Sequence, residues 1–150
     1  MRLDGNRILE RNAIMQILLV EDDESIREVF KLILETEKPL PDLEVATASN
    51  GAQAIEQVRL TSPDLVLLDL TLAGENGFEV YRNLRALENC TDLPIIAVTA
   101  HNLREVESQA LTLGFSGFVT KPIDFDKVLF PMLRKIFAQK NNGNNRHQAA

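Results

Sequence analysis

LVLLDLTLAGENGFEV, Leu65 to Val80, is the stretch that decides the fold. It opens with an apolar run, Leu65 to Leu68, of the kind that forms a strand buried on both faces. Asp69 follows where the strand should end. Gly74 and Gly77 then turn the chain into a helix with Val80, Tyr81, Leu84 and Leu87 apolar. A buried strand that delivers one carboxylate to its tip raises the question of what that carboxylate is for.

The same alternation runs outward in both directions. Ile17 to Val20 is a second apolar run, followed by Ile26, Val29, Phe30, Ile33 and Leu34 at helical spacing. Asp23 and Ser25 are caps for this helix, and Ser25 with Glu28 forms a capping box. Pro39 and Pro41 break it. Leu43 to Ala48 alternates as a strand, and Asn50-Gly51 opens a helix with Ala54, Ile55 and Val58 inward. Pro94 to Thr99 is the fourth strand. Asn102 with Glu105 caps the next helix, which Gly114 stops. Gly117 to Lys121 is the fifth strand, and Asp124 opens the last helix, in which Pro131 should remove a hydrogen bond and cause a bend. Near-continuous apolar strands alternating with amphipathic helices predict an α/β fold, a doubly wound parallel sheet with helices on both faces.

The totals narrow the function. The chain has 150 residues, 45% apolar and 25% charged, with a net charge of −6 and no long basic block. One domain is expected, with neither nucleic acid nor an anionic membrane as partner. The single Cys90 cannot form an internal disulfide, which suits a cytoplasmic setting. Residues 1–14 read as a mobile N-terminal extension, 15–140 as the folded domain and 141–150 as a disordered tail.

In such sheets ligands bind beyond the carboxyl ends of the strands. Those tips carry Glu21, Asp22 and Asp23 on the first strand, Asp69 on the third, Thr99 on the fourth and Lys121 on the fifth. Glu21, Asp22 and Asp69 converging on one point need a hard divalent cation to stay ionised together, and oxygen ligands suit Mg²⁺, with Mn²⁺ as a substitute. An Asp carboxylate can attack a phosphoryl group to give an acyl phosphate. The Lys121 ammonium and Thr99 hydroxyl can meet its anionic oxygens, and at rest Lys121 can pair with Asp69. Each residue alone has a plainer reading: Asp69 as a loop solvator, Lys121 as a surface lysine, Thr99 as a β-former. Asp23 and Glu24 suit a helix N-terminus.

Taken in order, LLVEDD (Leu18–Asp23), LVLLDL with Gly77, AVTA (Ala97–Ala100) and FVTKP (Phe118–Pro122) resemble the response-regulator receiver family of two-component signalling, over about Met15 to Lys140. The resemblance implies a flavodoxin-like five-stranded sheet of order 2-1-3-4-5. It implies Asp69 as phosphoacceptor, with Asp22 the more direct metal ligand beside Glu21 and the Thr71 backbone carbonyl. Thr99 and Phe118 would be the switch pair, and the Lys121-Pro122 bond cis. A sensor histidine kinase or phosphotransfer protein would be the donor. The face of the fourth helix, fifth strand and last helix would meet a downstream protein, with the chain a monomer or a phosphorylation-dependent dimer. With about ten residues after the last helix, a stand-alone receiver is expected, and not an enzyme beyond its own phosphorylation and dephosphorylation. The alternatives are a phosphorylation-independent binding module and a small Mg²⁺-dependent phosphohydrolase. The phosphohydrolase wants a second acid where Thr71 stands.

Two departures stand out. Leu72-Ala73 occupies the place where the family usually has Met-Pro, and losing the proline is expected to loosen that loop. Thr71 and His101 lie where the family's residues influence dephosphorylation, so the phosphoryl lifetime is open.

Overall fold

The computed structural model describes residues 14–36, 42–100 and 104–149, with side chains described through residue 140. Five strands form one parallel sheet: β1 (Met15–Val20), β2 (Leu43–Ala48), β3 (Leu65–Asp69), β4 (Ile95–Thr99) and β5 (Gly117–Thr120). Their order is β2-β1-β3-β4-β5, as the family resemblance implies. Every neighbouring pair is parallel.

Alternate side chains divide the core into two layers, because successive residues of a strand face opposite ways. Ile17, Leu19, Leu65, Leu67, Ile96 and Val98 pack against α1 (Glu24–Thr36) and α5 (Phe130–Ala149) through Phe30, Leu34, Phe130 and Leu133. Leu18, Val20, Val66, Leu68, Ile95 and Ala97 form the other layer. That layer packs on α2 (Gly51–Thr61), α3 (Gly77–Arg85) and α4 (Arg104–Leu113) through Ala54, Val58, Val80, Leu84 and Ala110. Burial on both faces is why these strands read as apolar runs.

Local chemistry sets several boundaries. Asp23 caps α1, its Oδ1 accepting from Ile26 N–H at 3.0 Å. Ser25 therefore lies inside the helix, and the capping box expected from Ser25 and Glu28 is not how the helix starts. Asn50 caps α2 by accepting from Gln53 N–H. Gly114 ends α4 at φ +110°, a conformation that favours glycine.

The last helix differs from expectation at both ends. A π-helical turn, Phe125–Leu129, capped by Asp124, precedes α5, and Phe130 N–H donates to Phe125 C=O. Pro131 is the second residue of α5, so it sits where the π-helical turn passes into the α-helix. A widened turn is a natural partner for a residue that has no N–H to give. At the far end the α5 backbone continues to Ala149, through the Asn-rich stretch expected to be a disordered tail. Propagating a formed helix costs far less than starting one. Residues 1–13, the Pro39 and Pro41 break, and His101 with the Asn102 cap lie outside the described residues.

Candidate metal and phosphoacceptor site

The sheet carries its site residues on bonds that extend past the strand ends. Glu21 N–H donates to Ala48 C=O at 3.0 Å, Leu70 N–H to Val98 C=O at 2.9 Å, and Lys121 N–H to Thr99 C=O at 2.8 Å. Glu21, Asp69 and Thr99 are thereby fixed at adjacent tips. They are the buried polar side chains among the described residues, at 2%, 5% and 1% exposure.

Glu21, Asp22 and Asp69 each bring a carboxylate oxygen within 4.8 Å of the others. Lys121 reaches in from beyond β5, its Nζ 2.8 Å from Asp69 Oδ2 and 2.9 Å from Glu21 Oε1. The expected resting pair of Lys121 and Asp69 is therefore present, and Lys121 also bridges to Glu21. Asp69 Oδ1 accepts from Thr71 N–H at 2.8 Å. Arg27 sends its guanidinium back to the carbonyl of Glu21, at 2.9 Å. The Lys121-Pro122 bond is cis.

One lysine among three carboxylates leaves excess negative charge. Glu21 Oε2 is buried with no hydrogen-bond partner. Burial, together with the neighbouring Asp69, pushes the Glu21 pKa from 4.5 up to about 7, against the opposing pull of Lys121. Burial alone would lower the Lys121 pKa, but hydrogen bonds and charge from Asp69 and Glu21 outweigh it and raise the value. An orphaned buried oxygen beside two further carboxylates fits a small divalent cation well.

The loop after β3 is tied to its surroundings at several points. Thr71 pairs with Asn76 and Leu72 with Glu75 in a short antiparallel ladder, turned by Ala73 and by Gly74 at φ +72°. Glu75 Oε2 accepts from Gly51 N–H at 2.8 Å, tying the loop to α2. Gly77 packs so tightly that a Cβ there would lie 2.4 Å from Leu70 Cα. Ala73 N–H donates to Asp22 Oδ2 at 2.8 Å. Sequence reasoning missed Arg27, Glu75 and the Ala73 amide. Arg27 could have been suspected as a cation six residues past Glu21, but a backbone amide leaves no signature.

The response regulator receiver domain profile matches residues 17–130. The chain belongs to the response-regulator receiver family. It is 34% identical to an uncharacterised 14.6 kDa protein of Leptolyngbya boryana, over 75% of this chain and 82% of that one. It is 37% identical to the phosphate regulon transcriptional regulatory protein PhoB of Pseudomonas aeruginosa, over 71% of this chain but only 44% of PhoB. The receiver domain of the sensor histidine kinase PA1611 of Pseudomonas aeruginosa PAO1 superposes with a TM-score of 0.69 at 29% identity. That match covers 83% of this chain and 98% of the PA1611 domain, whose structure holds a magnesium ion in its active-site cleft. Phe118, paired with Ala97 across the sheet, is half-buried against the core layer of α2, α3 and α4. No helix among the described residues is long and apolar enough to cross a membrane.

Proposed function

We propose that this receiver accepts a phosphoryl group on Asp69 from a phosphohistidine of a sensor kinase or phosphotransfer protein, in the cytoplasm and with Mg²⁺ bound. The observation that carries the reading is the Lys121 ammonium seated between Asp69 and Glu21, with Asp22 alongside and Glu21 Oε2 left without a partner. Glu21, Asp22, Asp69 and the Thr71 carbonyl would hold the cation. When bound, it neutralises the clustered carboxylates and draws in the phosphoryl oxygens. Mn²⁺ meets the same oxygen donors.

An Asp69 carboxylate oxygen attacks phosphorus as the P–N bond to the donor imidazole breaks, and the imidazole keeps the electron pair. Lys121 then exchanges its bond to Asp69 for one to a phosphoryl oxygen, and the Thr99 hydroxyl donates to another. Recruitment of Thr99 frees space at the end of β4 for Phe118 to turn inward, which reshapes the face of α4, β5 and α5 for a downstream protein. An apolar groove lined by Ile26, Val29, Phe30, Pro122 and Phe125 borders Lys121. Water on the acyl phosphate ends the signal, and no separate substrate is turned over. Thr71, where a phosphohydrolase would place its second acid, carries none.

The test is intact mass after incubation with acetyl phosphate. A gain of about 80 Da that requires Mg²⁺ is expected for the parent and not for Asp69→Asn. No gain under any condition overturns the reading in favour of a phosphorylation-independent module.

A further inference from the structure

We infer that the Ala73 backbone N–H is a positioning group for Asp22 and sets the affinity of the acidic site for its divalent cation. The inference rests on the metal site proposed above and assigns a determinant that lies outside its ligand set.

The bond from Ala73 N–H to Asp22 Oδ2, at 2.8 Å, joins residues 51 positions apart. Its two ends are held independently. Asp22 follows Glu21, which the sheet fixes through Ala48, and Arg27 clamps the Glu21 carbonyl. Ala73 sits at the tip of a turn whose flanks are pinned by buried Leu72, by Glu75 on Gly51, and by Gly77 against Leu70. The N–H is thus presented to the carboxylate by a braced turn.

Asp22 is half-exposed, and without this bond its side chain could rotate into water. A carboxylate has two oxygens and about four acceptor sites. Ala73 uses one oxygen and leaves the other for a cation. Fixing a ligand's rotamer in this way removes ordering cost from metal binding, and loss of such supporting bonds commonly weakens affinity ten- to a hundredfold.

The turn also supplies a clean test. Gly74 at φ +72° occupies the third position of the turn and Ala73 the second. This resembles a type II turn, which accepts proline at its second position. Ala73→Pro therefore removes the N–H while suiting the backbone, and Ala73→Ser keeps the N–H. Mg²⁺ affinity is measured by calorimetric titration for the parent and both variants, with thermal midpoints in EDTA to confirm folding. Expected are parent-like binding in Ala73→Ser and about tenfold weaker binding in Ala73→Pro. Equal affinity in the parent and in Ala73→Pro overturns the inference while leaving the metal site intact. A parent that binds no Mg²⁺ overturns the metal site itself. Amide exchange is a second readout that survives if Ala73→Pro fails to fold. In Asp22→Ala the Ala73 amide should exchange faster while that of Phe78, bonded to Asn76, is unchanged. Unchanged exchange at Ala73 overturns the bond.

Discussion

Strand β3 has an aspartate at each end, and each is paired with a lysine from late in the chain. Asp64, just before the strand, pairs with Lys140 of α5 at 2.9 Å. Asp69, at its tip, pairs with Lys121 at 2.8 Å. The two ion pairs look alike, but their surroundings differ. Asp64 is fully provided for: its Oδ2 accepts from Gln16 N–H, its Oδ1 from Lys140, and both side chains reach solvent. Asp69 is buried, shares its lysine with Glu21 and stands beside Asp22. A carboxylate whose needs are met is structural. One that is buried in a crowd of others is suited to a further positive charge.

The widest separation between the two ends is in phosphoryl uptake. Asp69→Asn should abolish the Mg²⁺-dependent mass gain, because an amide cannot form the acyl phosphate. Asp64→Asn should retain it. Uptake lost equally in both variants would mean that the fold, and not the nucleophile, is being measured.

Stability separates them next. Lys121→Met leaves Glu21 and Asp69 buried without their cation, and removing one partner of such a pair costs about 3 kcal/mol or more. The loss should appear in urea melts run in EDTA and shrink when Mg²⁺ supplies the missing positive charge. A cost unchanged by Mg²⁺ would count against a cation site at these tips.

The contrast between the two aspartates also shows what a sequence can reveal. The strands were legible because burial on both faces demands unbroken apolar runs such as Leu65–Leu68. Glu21, Asp22, Asp69, Thr99 and Lys121 were legible because parallel topology sends every strand's carboxyl end to one edge. The Ala73 amide was not, since every residue except proline carries the same group. The π-helical turn before Pro131 was hidden for a related reason: Pro131 announces a disturbed helix but not which neighbouring turn absorbs it. At α1 two side chains could cap, and only the position of the first helical turn selected Asp23 over Ser25.

A smaller effect concerns pH. Glu21 has a folded pKa of about 7 against an ordinary 4.5, so the folded chain holds more protons between those values. The stability this contributes is fully present below about pH 4.5 and is lost as pH rises through about 7. Without divalent cation, the parent should therefore weaken across this window. Glu21→Gln should remove that part of the slope, because an amide does not titrate. Asp64→Asn should leave it in place, as its site is remote from Glu21. A slope that persists in Glu21→Gln would place the titrating group elsewhere.

The smallest effect belongs to the structural pair. Lys140→Met should cost under about 1 kcal/mol, and less at high salt, because the ions are partly solvated and screened. Asp64→Ala should cost more than Lys140→Met, since it also leaves Gln16 N–H without its side-chain acceptor. That ordering in urea melts distinguishes an aspartate that anchors backbone from one that merely balances charge. If the two costs were equal, the lysine would carry the whole contribution. Asp64 would then resemble Asp69 in depending on its cation, although it lies at the opposite end of β3 from Glu21, Asp22 and Asp69.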